Sequence, residues 1–302
     1  MVKEKLQALF TQPIVSVQTL GETYKGRAND VWLVVLQNET EYVVRSPKAT
    51  RTDNEFTAGI NMIYGVDALA VQEHIDQINR SVSATNSFQT PKVIRKMNIS
   101  GRLYLVMEKM EGIPSTTFQG KTSESYHDYG RKLARLHADK THFFGPVYDG
   151  KQDELKNFHQ QLKKAVGYLT THYFANQHDI VSYAKQIQQK LEELPPPESA
   201  SLILIDLDVT QYIERDGNVM SLVDTEYVVY GPPAFDLIAL EYLLTKEAAH
   251  FVERGYKEIH PLPLKLQEVR ECYRFVSLLL GIHGSWDLQK WMHHPAYFAH
   301  HQ

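Results

Sequence analysis

At 302 residues and 34.7 kDa, with 43% hydrophobic and 23% charged residues, the chain has the composition of a soluble globular protein and not of a disordered one. A net charge of −4 gives it no basic field with which to gather nucleic acid or anionic lipid. The one cysteine, Cys272, rules out an intrachain disulfide and points to a reducing, cytoplasmic setting.

In chain order, residues 1–10 alternate charge with Leu6, Leu9 and Phe10 and lack the apolar run of a signal peptide. No later apolar stretch approaches the roughly 20 residues that a bilayer span needs. Residues 30–36 (DVWLVVL) and 41–45 (EYVVR), rich in β-branched and aromatic side chains, read as strands around a polar turn at 37–39. Val71, Ile75, Ile78 and Val82 follow the spacing of one helix face. A second strand pair, 92–95 and 103–107, flanks Ser100-Gly101.

After residues 108–114 the pattern turns helical, over 126–137 and most of 153–194, until Pro195-Pro196-Pro197 stops it. A short β interlude at 202–223 precedes helices that run to the end. Cys272 falls in one of these and is expected in the core. The histidine-rich tail at 293–301 is expected to be a partly frayed terminus, with metal binding as the weaker alternative. A β-rich front and an α-rich back predict an α+β arrangement of two lobes, residues 1–110 and 111–302.

The chemistry concentrates between residues 201 and 240. An apolar strand, 202–205, runs into Asp206. Strands at 212–214 and 219–223 flank the turn residues Arg215-Asp216-Gly217-Asn218, and Asp224 follows the second strand directly. Closing that hairpin would bring both carboxylates to neighbouring strand ends, with the Gln211 amide nearby. Such a set suits phosphoryl transfer: one carboxylate orients and deprotonates a hydroxyl, and the other, with the amide oxygen, holds Mg²⁺. The alternative is that both aspartates only cap turns.

The run from Leu202 to Tyr242 resembles the catalytic segment of aminoglycoside phosphotransferase-like kinases, a family that includes choline kinase-like proteins. There a strand enters H-G-D-x-x-x-x-N, and a hairpin, a metal-binding Asp and G-x-P-x-x-D-L follow. Asp206 falls on the catalytic Asp, Asp224 on the metal-binding Asp, Gln211 on the Asn, and Asp236 on a structural Asp that braces the loop. Residues 24–32 are similar to the nucleotide-covering turn, with Gly26 and Asn29 at its G-x-x-N positions. Arg45 stands where the family places the phosphate-binding Lys. Glu73, in preference to Glu55, is its expected acidic partner. Residues 105–112 are similar to the hinge, where the backbone at Glu108 and Met110 would meet adenine, and 130–137 match G-x-x-L-A-x-L-H.

The resemblance implies a bilobal, protein kinase-like fold with a nucleotide-binding N-lobe and a helical C-lobe. It implies an ATP- or GTP-dependent phosphotransferase that uses Mg²⁺ on a small-molecule hydroxyl acceptor, without nucleic-acid or membrane partners. Three positions depart from the pattern: Leu204-Ile205 replaces His-Gly, Gln211 replaces Asn, and Arg45 replaces Lys. Leu204, Ile205 and Gln211 motivate a second reading, a catalytically degenerate kinase-like module that binds nucleotide or a partner. Acceptor identity and oligomeric state have no signature in the sequence.

Overall fold

The computed structural model describes residues 2–21, 28–48, 54–148, 150, 152–284 and 287–299. The chain divides into two compact units, Met1–Thr52 with Thr90–Glu111, and Asp53–Gln89 with Gly112–Gln302. The linear division at residue 110 therefore needs correction: the segment from 53 to 89 belongs with the helical unit. Its helices share the apolar interior of that unit, which a reading along the chain does not disclose.

The first unit holds α1 (Val2–Gln7), β1 (Ile14–Thr19), β2 (Asn29–Leu36), β3 (Glu41–Pro47), β4 (Val93–Ile99) and β5 (Arg102–Glu108). The strands form one antiparallel sheet in the order β1-β2-β3-β5-β4. Alternation puts Trp32, Val34, Leu36, Val44, Tyr104 and Val106 on one face, where Leu6 and Leu9 of the α1 segment complete a core. Arg45, buried and opposite Val31 and Leu105, points from the other face. The turn between β4 and β5 has Ser100 at φ 51° and Gly101 at φ 79°, the left-handed pair that a two-residue hairpin requires.

The second unit begins with α2 (Glu55–Tyr64), a 3₁₀ turn (Ala70–His74) and α3 (Ile75–Ala84). Val71, Ile75, Ile78 and Val82 are all buried, as their spacing predicts. There follow β6 (Ile113–Pro114), α4 (Ser123–Leu136), β7 (Phe143–Pro146), β8 (Asp153–Glu154), α5 (Phe158–Tyr173) and α6 (His178–Glu193). The expected long helix up to Pro195 is thus two helices. Then come β9 (Ser201–Ile203), β10 (Tyr212–Arg215), β11 (Asn218–Leu222), β12 (Val229–Gly231), α7 (Ala234–Leu240), α8 (Lys246–Lys257), α9 (Leu266–Leu279) and α10 (Leu288–Met292). Small sheets β11-β10-β6 and β8-β7-β12-β9 frame the loop that follows β9.

Helices α4 and α8 approach until their backbones nearly touch. A Cβ on Gly130 would lie 2.0 Å from the Val252 carbonyl oxygen, and one on Gly255 would lie 1.9 Å from that of His127. Both positions therefore need glycine for packing.

The histidine-rich tail is not frayed over its described part. Glu241, fully buried, accepts from the amides of Tyr297 (2.9 Å) and Phe298 (3.1 Å) through Oε1. The same carboxylate pairs with Arg270 (3.2 Å) and Arg274 (2.7 Å). Arg274 also donates to the carbonyls of His294 and Pro295, and Arg270 to that of Phe298. Two guanidiniums and two amides around one carboxylate satisfy a buried charge that would otherwise be costly. Among the described residues no group of three or more His, Cys, Asp or Glu is placed to hold a metal ion.

Candidate active site

The loop after β9 is held from below by one carboxylate. Asp236, fully buried at the start of α7, accepts from the amides of Leu204 (2.7 Å) and Ile205 (3.0 Å). His137, at the end of α4, reaches the same carboxylate through Nε2 at 3.2 Å, and its Nδ1 lies 3.0 Å from the Tyr256 hydroxyl. Asp236 thus takes the bracing place expected of it. The histidine absent from position 204 is not what orients it; His137 and two backbone amides do that.

Position 205 keeps the backbone geometry that glycine would supply. Ile205 has φ 60° and is fully buried, and the Asp206 amide turns back to the Leu204 carbonyl at 2.7 Å. A β-branched residue in the left-handed region is strained by about 1–2 kcal/mol. Burial of its side chain and the Asp236 hydrogen bonds hold it there.

Asp206 follows, partly open to solvent. Its Oδ1 accepts from the Asp208 amide at 3.2 Å. Asp208 in turn caps the short turn at Val209–Gln211 by accepting from the Thr210 amide and hydroxyl, both at 2.8 Å. That turn carries Gln211 back to Asp206, where their side chains hydrogen-bond. The Val223 amide donates to the Gln211 carbonyl at 2.9 Å, fixing the residue before Asp224. Thr225, just after, donates to the Asn79 side chain of α3.

Burial first, and then the negative charge of Asp224, push the Asp206 carboxyl up to about 7. The structure therefore brings Asp206, Gln211 and Asp224 together. All three offer oxygen donors, and two adjacent carboxylates form an environment that a hard divalent cation would relieve.

The other sequence-derived positions fall as follows. In the first unit, Asn29 starts β2 and is buried, and Arg45 is buried in β3. Glu108 ends β5, its side chain exposed and its amide donating to the Lys92 carbonyl at 2.9 Å, and Met110 follows it. Glu73 is exposed in the 3₁₀ turn of the second unit, and Glu55 opens α2 in that unit as well. Gly26 lies outside the described residues. Sequence reasoning did not find Asn79, Asp208 or Tyr256 as supports of the loop. Only Asp208 carried a signal, an Asp two residues before Thr210 in turn-forming sequence.

A family model described as the phosphotransferase enzyme family matches residues 23–266. The chain belongs to this family. Its fold agrees with solved structures of kinase-like phosphotransferases. One is a candidate fructosamine-3-kinase from Haemophilus somnus 129PT, with 18% identity, a TM-score of 0.62, and coverage of 93% of this chain and 88% of that one. Another is aminoglycoside 2'-phosphotransferase-IIIa in its GDP complex, with 17% identity, a TM-score of 0.61, and coverage of 96% and 93%. A third is the macrolide 2'-phosphotransferase MphH from Brachybacterium faecium, with 13% identity, a TM-score of 0.56, and coverage of 89% and 88%. No curated protein matches in sequence. Among the described residues no helix is long and apolar enough to cross a membrane.

Proposed function

We propose that this phosphotransferase moves the γ-phosphoryl group of ATP or GTP to a hydroxyl of a small molecule, in the cytoplasm. The observation that carries the reading is the grouping of Asp206, Gln211 and Asp224 on a loop held by Asp236. With its carboxyl raised to about 7, Asp206 is suited to accept the proton of an acceptor hydroxyl near neutral pH. Asp224 and the Gln211 amide oxygen would hold Mg²⁺, which supplies charge neutralisation at the phosphates. Arg45, Asn29 and the turn at Gly26 are assigned to the phosphates, Glu73 to the support of Arg45, and the backbone at Glu108 and Met110 to the base. Residues 1–52 with 90–111 would act as the nucleotide-binding lobe, and residues 53–89 with 112–302 as the catalytic lobe. The family match supports this reading, as do GDP and ADP in structures of the similar aminoglycoside phosphotransferases.

The degenerate alternative rests on Ile205, whose strained backbone marks a loop built without the expected glycine. Thermal shift with MgATP or MgGTP, followed by ADP or GDP release over a panel of sugars, amino alcohols and macrolides, separates the two. The enzyme reading expects Mg²⁺-dependent stabilisation lost in Asp224→Ala, and turnover lost in Asp206→Ala. Nucleotide binding without turnover on any acceptor favours the module. Turnover that survives Asp206→Ala rules out the role given to Asp206.

A further inference from the structure

Helix α3 carries an amide within its apolar face. Ile75, Ile78 and Val82 are buried there at helical spacing, and Asn79 is buried among them, 3% exposed. Its Oδ1 accepts the hydroxyl of Thr225, which is 1% exposed and 146 positions further along the chain. A buried polar pair adds little stability over an apolar pair of the same shape, but it fixes where its two partners stand.

Thr225 follows Asp224 directly, and the backbone on the other side of Asp224 is also tied. The Gln89 amide donates to the Met220 carbonyl at 3.0 Å, and the Leu222 amide donates to the Gln89 carbonyl at 2.8 Å. The chain beyond α3 therefore runs beside β11, with Gln89 bridged to Ser221. The Val223 amide donates to the Gln211 carbonyl at 2.9 Å. Asp224 thus stands between backbone held by residues 89 and 211 and a hydroxyl held by α3. The hydroxyl tie is made by two side chains, so substitution can remove it without touching the backbone.

We infer, on the metal role proposed for Asp224, that Asn79 is a positioning residue for the divalent cation: through Thr225 it holds the Asp224 carboxylate in place to ligate Mg²⁺ with the Gln211 amide oxygen. An octahedral Mg²⁺ shell tolerates little displacement of a ligand. Loss of a group that orients a ligand costs roughly 10–100-fold in metal affinity. The segment 53–89 then belongs to the helical unit for a chemical reason, since it brings Asn79 and Gln89 to the turn that carries Asp224.

The test titrates the full chain with Mn²⁺, which takes the same oxygen ligands as Mg²⁺, and counts the free ion by electron paramagnetic resonance. Urea unfolding of each variant runs alongside. Thr225→Val removes the hydroxyl and should weaken Mn²⁺ binding about tenfold, whereas Thr225→Ser keeps it and should bind as the wild type does. Asn79→Leu combined with Thr225→Val removes both partners, so stability should return towards the wild type while Mn²⁺ binding stays weak. Unchanged affinity in Thr225→Val, equal loss in Thr225→Ser, or affinity that recovers with stability in the double variant would overturn the role of Asn79 and leave that of Asp224 standing. No Mn²⁺ binding by the wild type, or binding indifferent to Asp224→Ala, would overturn both.

Discussion

Replacing Asp206 with Asn removes one titrating group from the loop and should abolish the pH dependence of stability that this group imposes. Its native carboxyl titrates near 7, against 3.8 for an ordinary aspartate, because of burial and then of Asp224. Between those values the folded protein holds a proton that the unfolded chain has released. Raising the pH through that window therefore destabilises the wild type, and the penalty is complete above about pH 7. The full interval corresponds to about 4 kcal/mol. Because solvent reaches part of the carboxyl, about 1.5–3 kcal/mol is the working expectation. Asparagine keeps an acceptor for the Asp208 amide and carries no charge. Urea unfolding in EDTA should show the Asp206→Asn protein gaining on the wild type by that amount between pH 4.5 and 8.5. A stability difference that stays constant across this range would refute the assignment of the raised carboxyl to Asp206.

Three further substitutions probe the scaffold. Exchange of alanine for glycine ordinarily costs about 0.5–1 kcal/mol. At position 205, with φ 60°, the order should invert, leaving Ile205→Gly more stable than Ile205→Ala by about 1 kcal/mol in chemical denaturation. Glu241→Ala leaves two buried guanidiniums without their carboxylate and should cost about 3–5 kcal/mol. Limited proteolysis should then cut the segment from 293 to 299 first. Gly130→Ala drives a methyl into the Val252 carbonyl, so α4 and α8 must part, at about 2–3 kcal/mol in urea unfolding.

The hairpins were legible because their strands are β-branched and their turns carry Ser-Gly, Asp-Gly and polar pairs, all local signals. The stripe from Val71 to Val82 was legible for the same reason. The break between α5 and α6 was not, since residues 174–177 contain neither Gly nor Pro and only packing separates the helices. Asp206, Gln211 and Asp224 could be grouped by following one hairpin. Their supports could not: His137 meets Asp236, and Tyr256 meets His137, from distant parts of the chain. The backbone at position 205 was not legible, because a β-branched isoleucine enters the left-handed region only under tertiary constraint.

The strap around Glu241 also bears on how the protein is made. Glu241 leaves the ribosome 56 residues ahead of Tyr297, whose amide it must accept. At typical translation speeds that gap lasts roughly 3–11 s. Throughout it the Glu241 carboxylate, joined about halfway by Arg270 and Arg274, has no strap to close over it, so the helical unit cannot reach its final packing. Synthesis of the last fifth of the chain therefore passes through an interval in which chaperones, or nascent-chain proteases, meet an unfinished core.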